Sequence, residues 1–261
     1  LSPPSAAGGY VRVMSIHGRQ DARQHLDALV TDVRRGRGRA LVIRGERGAG
    51  RTTLVTADLA IRRVVVRGTT AETDVPYAGL HQLTTALAAA TPTGDRFAVC
   101  TATLDLLLAT DEPLLIIVDD AQHLDPASLF VLLFCARRTT DAPVGVVLTV
   151  CDPGPRLDLP ELVLDGLDPA AARALLADHG WPHGASATDA AIRLTGGNPL
   201  ALTALATHLD PTELLHGLAV GAVPIPEVLH AMFGTRLAAL SPAARTAVLI
   251  AAVIPPDRVE L

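Results

Sequence analysis

The stretch Gly45-Glu46-Arg47-Gly48-Ala49-Gly50-Arg51-Thr52-Thr53 constrains this chain more than any other. It meets the pattern G-x-x-x-x-G-K-[ST] at Gly45, Gly50 and Thr52, with arginine, Arg51, where lysine belongs. Glycines in such a loop let successive backbone N–H groups turn inward around an anion, and the helix that follows presents its positive N-terminal end. The loop needs a strand before it and a helix after it. Ala40-Leu41-Val42-Ile43-Arg44 is a short apolar run that reads as a buried strand, and residues 52–62 read as the helix.

The rest of the first two-thirds follows the same alternation. Leu26, Leu29 and Val30 give helical spacing over residues 23–33, and Val64-Val65-Val66 is a second β-branched run. Helices are predicted near 76–90 and 95–110. Pro113 to Asp120 is the clearest strand, continuous and aliphatic, and it ends in the carboxylates Asp119 and Asp120. Asp125-Pro126 starts a helix, with Asp as cap and Pro at the first position. Residues 144–150 predict another buried strand, and 162–164 a last short one. Alternating strands and helices predict an α/β fold, a parallel sheet covered by helices on both faces. Such sheets bind ligands at the carboxyl ends of their strands. Gly45 and the Asp119–Asp120 pair both stand at such ends, so two separate motifs predict one location.

After residue 167 helical periodicity takes over, and Asp168-Pro169 and Ser241-Pro242 repeat the cap-plus-proline start. The expected organisation is a flexible Pro/Ser/Ala/Gly lead-in over 1–11, a phosphate-loop domain over 12–167, a helical lid over 168–240, and the truncated start of a further helical domain over 241–261. The chain begins with Leu1 rather than Met, which suggests a piece of a longer protein.

Composition narrows the chemistry. All 22 basic residues are arginine, so no lysine elsewhere can stand in for the missing one, and drift in composition becomes one explanation of Arg51. The net charge of −5 argues against a surface that binds nucleic acid through its phosphates, and the Arg34-Arg35-Arg37-Arg39 cluster reads as a solvated turn before a strand. Aromatic residues make up 3% of the chain, so the core is aliphatic and alanine-rich. Cys100, Cys135 and Cys151 are odd in number and lack C-x-x-C spacing, which suits a reducing cytoplasm and argues against a zinc site. No apolar run is long enough to cross a bilayer, so no membrane role is expected.

In this reading the loop residues Gly45, Gly48, Ala49, Gly50, Arg51, Thr52 and Thr53 hold a nucleotide, Thr52 supplies a hydroxyl to Mg²⁺, and Asp119 holds the same ion directly or through water. Asp120 is placed to orient or deprotonate an attacking water. Arginine keeps the charge of lysine but is longer, planar and forked. His123 reads as a loop histidine without a role, Asp125 as a helix cap, and Cys151 as a buried structural thiol. Gly196-Gly197-Asn198-Pro199-Leu200 reads, by spacing alone, as a turn before a proline-started helix.

Together these segments resemble the ATP-binding module of the large LuxR-type transcriptional regulators, within the signal-transduction ATPases with numerous domains (STAND), an AAA-like P-loop NTPase group. The resemblance spans about residues 12–205. It is carried by His17-Gly18-Arg19, by the loop Gly45–Thr53, by Pro76-Tyr77-Ala78-Gly79-Leu80-His81-Gln82-Leu83, by Val118-Asp119-Asp120-Ala121-Gln122-His123-Leu124-Asp125, and by Gly196-Gly197-Asn198-Pro199-Leu200-Ala201-Leu202. It implies that Pro199 touches adenine and that Arg19 lies near the nucleotide. It also implies an ATP/ADP switch whose opening favours self-association, and DNA binding only through a C-terminal element that nothing here resembles. Arg51 and Cys151, where the family commonly has lysine and arginine, imply weak sensing of the γ-phosphate and at most a slow ATPase. Three readings stay open: a slow or inactive nucleotide switch, a true ATPase using Arg51, and a scaffold that binds no nucleotide.

Overall fold

The computed structural model describes residues 16–182, 184–238 and 240–253. The lead-in expected over 1–11 lies outside the described residues.

Strands β1 (Arg39–Gly45), β2 (Arg62–Arg67), β3 (Leu114–Asp119), β4 (Val144–Cys151) and β5 (Glu161–Leu164) form one parallel sheet in the order β2-β3-β4-β1-β5. Successive side chains on a strand point to opposite faces. Leu41 and Ile43 of β1 and Leu115 and Ile117 of β3 therefore meet α1 (Gln20–Arg34) and α2 (Arg51–Thr56) on one side. Val42, Ile116 and Val118 meet α3 (Ala78–Ala86), α4 (Arg96–Leu108) and α5 (Pro126–Ala136) on the other. Burial on both faces explains why β3 and β4 read as apolar runs broken only by Asp119 at the end of one and Thr149 within the other. Each leucine buried this way contributes roughly 1.5–3 kcal/mol.

Beyond β5 the described chain is helical: α6 (Pro169–Asp178), α7 (Ala185–Thr195), α8 (Pro199–His208), α9 (Pro211–Val220), α10 (Glu227–Ala238) and α11 (Pro242–Val253). Helices α6 to α10 surround a separate core that includes Ala172, Leu176, Trp181, Ala191, Leu202 and Leu214. Asp168, Asn198 and Asp210 cap α6, α8 and α9, each followed by proline at the first helical position, where a missing N–H costs nothing.

Helix α2 is shorter than the sequence pattern predicts, ending at Thr56 rather than Arg62. Arg63, at the start of β2, donates to the carbonyls of Thr56 (2.9 Å) and Ala57 (3.0 Å). It satisfies acceptors that a longer helix would have used.

Candidate functional site

Strand β4 lies between β1 and β3, yet the ends of the two outer strands are joined across it. The Thr52 hydroxyl, at the start of α2, donates to Asp119 Oδ1 and Oδ2 at 3.1 and 3.0 Å. Asp119, the last residue of β3, is 6% exposed. From β4 itself comes Thr149, fully buried. Its hydroxyl donates to Asp119 Oδ1 at 2.7 Å and accepts from the Asp120 amide at 2.8 Å. The chain then turns through a left-handed Asp120 (φ +52°), a conformation aspartate tolerates better than most residues. The Asp120 carboxylate accepts from Gln122 Nε2 (2.9 Å) and from Arg51 Nη2 (3.4 Å). Gln122 also accepts from the Cys151 amide at 3.0 Å, which joins the ends of β3 and β4.

Arg51 is 9% exposed. Its Nη1 donates to the carbonyls of Gly45 and Glu46, the latter at 2.8 Å, so the guanidinium folds back onto its own loop. Its Nε is buried without any acceptor. A buried N–H left unpaired costs free energy, and such a group marks a place where an anion would be welcome. The loop glycines Gly48 and Gly50 take φ +84° and +89°, which open the backbone as a phosphate cradle needs. The residues present therefore fit a polyphosphate.

A cavity of about 350 Å³ is lined by the loop from Gly48 to Thr53 and by the apolar side chains of Ile16, Leu167, Leu175, Pro199 and Leu200. Arg19 forms part of its wall and donates to the carbonyls of Ala49 (2.9 Å) and Asp165 (2.7 Å). Burial pulls the Arg19 guanidinium below its ordinary pKa, and Asp165 and Asp168 oppose that pull. His17, also on the wall, sets Nε2 2.7 Å from Asp178 Oδ2 on α6. Gly45, Asp119 and Asp120 stand behind the wall and reach it through Arg51 and Thr52. Pro199, at the first position of α8, comes to the same cavity from the other core. The structure thus brings together Arg19, Gly45, Gly48, Ala49, Gly50, Arg51, Thr52, Thr53, Asp119, Asp120 and Pro199. Among the described residues no three His, Cys, Asp or Glu side chains converge to hold a metal. A Mg²⁺ ion here would depend on oxygens of a bound phosphate as well as on Thr52 and Asp119.

Other residues singled out in the sequence stand apart from this chemistry. His123 is half-buried, and its carbonyl accepts from the Thr73 hydroxyl. Asp125 caps α5 and also accepts from the amides of Tyr77 and Gly79 at the start of α3. Cys151 is half-buried rather than buried, with its thiol 3.6 Å from the Asp152 carbonyl.

Sequence reasoning missed Thr149, Gln122, Asn198 and Arg44. Arg44 is buried just before the loop. It donates to Glu161 (2.8 Å), Asp152 (3.2 Å) and the Pro155 carbonyl (2.7 Å), fixing β1 to β5 and to the segment after β4. The bond to Glu161 holds its pKa above the ordinary value against the effect of burial, with help from Asp152. A usable signal existed for Thr149, a lone polar residue inside an otherwise apolar strand, and for Arg44, a charged residue that closes an apolar run.

Among solved structures the chain is similar to the Orc1 protein of Aeropyrum pernix in complex with DNA (TM-score 0.53, 16% identity, 90% of this chain and 72% of that one). It is also similar to the ORC2 protein of the same organism, solved as ADPNP–ADP complexes (TM-score 0.52, 16% identity, 87% and 72%). A STAND protein of Pyrococcus horikoshii with a tetratricopeptide repeat sensor, PH0952, gives TM-score 0.49 at 20% identity, over 68% of this chain and 28% of that protein's length. No curated protein matches the chain. The Orc1 and ORC2 likenesses establish the fold, a P-loop NTPase sheet with its helices. The family model described as AAA ATPase domain matches residues 15–148, just over half of the chain, and takes in the loop, Thr52 and the Asp119–Asp120 pair; the chain belongs to that AAA ATPase family.

Proposed function

We propose that this chain is the ATP/ADP-binding regulatory switch of a transcriptional regulator of the large LuxR type, with weak or absent hydrolysis. The observation that carries the reading is the contact between Thr52 and Asp119, which sets a hydroxyl and a carboxylate side by side next to a cavity lined by the loop and by apolar side chains. In this reading the N–H groups of the loop and the unpaired Arg51 Nε hold phosphate oxygens, Thr52 and Asp119 hold Mg²⁺, and Pro199 lies against adenine. Arg19 borders the nucleotide and ties the loop to the segment before α6. Bound Mg²⁺ supplies neutralisation of the phosphate charge.

In this reading Asp120 is the residue that would orient water, but its Oδ1 is already engaged by Arg51 and Gln122. A carboxylate oxygen already held by two donors is less free to align a water, which supports slow turnover. The working division is residues 12–167 for nucleotide binding, 168–240 for the lid, and 241–261 for the start of a further domain. A nucleotide acts as a switch here by binding one lid arrangement more tightly than the other. The motifs at Pro76–Leu83 and Gly196–Leu202 support the LuxR-type assignment. DNA contact then belongs to a part of the protein outside this chain, and self-association to the open state.

Titration calorimetry with ADP and ATP, each with and without Mg²⁺, tests the reading alongside a turnover assay. The expected result is binding of both nucleotides with little or no phosphate release. Turnover that vanishes in Asp120→Asn would replace the switch by an active ATPase, and absence of binding would replace it by a scaffold.

A further inference from the structure

The segment Gly196–Leu200 does more than turn the chain into α8. Asn198 is 6% exposed, and its side chain faces two ways. Oδ1 accepts from the amides of Leu200 (3.1 Å) and Ala201 (3.2 Å), which caps α8. Nδ2 donates to the carbonyl of Arg47, within the glycine-rich loop, at 2.9 Å. The Leu200 amide also points at the Gly48 carbonyl, at 3.3 Å. The fit leaves no slack: a Cβ on Gly48 would come 2.6 Å from Asn198 Oδ1 and 2.7 Å from Leu200 Cβ. Gly48 sits at φ +84°, so its conformation and its closeness to α8 both require glycine.

We infer that Asn198 is a positioning residue that couples the lid to the phosphate loop: its amide holds the Arg47–Gly48 backbone in the shape that binds phosphate, and releases it when α8 moves away. The consequence for nucleotide binding rests on the function proposed above. The ordering of the loop does not, because the contact exists within the protein alone. One side chain serves both the helix cap and the loop, so movement of α8 cannot leave the loop unchanged. Loop order then favours binding with the lid docked, and bound phosphate in turn favours the docked lid, since such coupling is reciprocal.

The two roles of Asn198 separate by substitution. Serine caps a helix about as well as asparagine, carries no charge, and is too short to reach the Arg47 carbonyl. In Asn198→Ser the free protein is expected to melt close to wild type, while hydrogen exchange in the peptide covering residues 45–54 rises about fivefold, as loss of one hydrogen bond implies. ADP affinity is expected to fall by about the same factor. Asn198→Ala, which loses the cap as well, should show the same exchange and also melt lower. Unchanged exchange over 45–54 in Asn198→Ser overturns the inference, as does equal ADP affinity in wild type and Asn198→Ser. Raised exchange with no ADP binding in either protein leaves the loop clamp standing and removes the nucleotide reading instead.

Discussion

Arg51 and Asp120 lie 3.4 Å apart, one in the loop after β1 and the other just past β3, with the guanidinium reaching the carboxylate while its other arm holds the loop carbonyls of Gly45 and Glu46. This pairing ties the two motifs together and engages Arg51 Nη2 and Asp120 Oδ1. A lysine is a compact point charge with rotatable donors and cannot fork in this way.

Arg51→Lys should therefore free Asp120 and leave the ammonium available to a phosphate. ATP affinity is expected to rise by up to about tenfold, which corresponds to roughly 1.4 kcal/mol, near the strength of a hydrogen bond to a charged group. Titration calorimetry of both proteins with Mg-ATP measures it. Weaker binding in Arg51→Lys would mean that the fork itself is an adapted ligand.

Removing the hydroxyl in Thr52→Ala deprives Asp119 of its 3.0 Å partner and a bound ion of one ligand. Nucleotide affinity in the presence of Mg²⁺ should drop about tenfold, and affinity in the presence of a chelator should hardly change. An equal loss in both conditions would contradict the role given to Thr52.

Thr149→Val keeps shape and volume but removes the hydroxyl that serves both aspartates. The Asp120 amide is left unpaired, at a cost of about 1–3 kcal/mol. Denaturant unfolding should register that loss. The dependence of nucleotide binding on Mg²⁺ should weaken with it, because Asp119 loses one of the two hydroxyls that hold it.

Asp125 is fully enclosed and closes two helices with one carboxylate, accepting from Ser128 at the start of α5 and from Tyr77 and Gly79 at the start of α3. Burial alone would raise its pKa, but these hydrogen bonds outweigh burial and hold it below the ordinary value. A carboxyl with a depressed folded-state pKa stabilises fully above the unfolded value of about 4, and its contribution disappears as pH falls through the folded value. Asp125→Asn should thus lower the melting temperature by about 4–8 °C at neutral pH, for a loss near 2 kcal/mol. The gap to wild type should narrow under acid. A gap independent of pH would show that the charge of Asp125 is not what stabilises the helix starts.

How much of this was legible in the sequence depends on the range of the contact. The loop, the aliphatic strand ending in Asp119 and the caps at Asp125 and Asp168 are local patterns in which a residue's neighbours in sequence define its job, and the structure places them where those patterns predict. Thr149, Gln122 and Asn198 act through partners far along the chain, such as Arg47 for Asn198 and Asp119 for Thr149, and no spacing rule links them. The early end of α2 is likewise met by a group outside the helix, since Arg63 from the next strand takes up the carbonyls of Thr56 and Ala57. The orientation of Arg51 was equally hidden, because whether a guanidinium points at solvent, phosphate or its own loop is set by the carbonyls that surround it.

Thermal denaturation of the protein with increasing Mg-ADP and Mg-ATP reads nucleotide binding at this site. A nucleotide at a hundred times its dissociation constant is expected to stabilise the fold by about 2.7 kcal/mol, raising the melting temperature by several degrees, and this gain should disappear in Asp119→Ala. A melting temperature that stays constant up to millimolar nucleotide would contradict nucleotide binding by this chain.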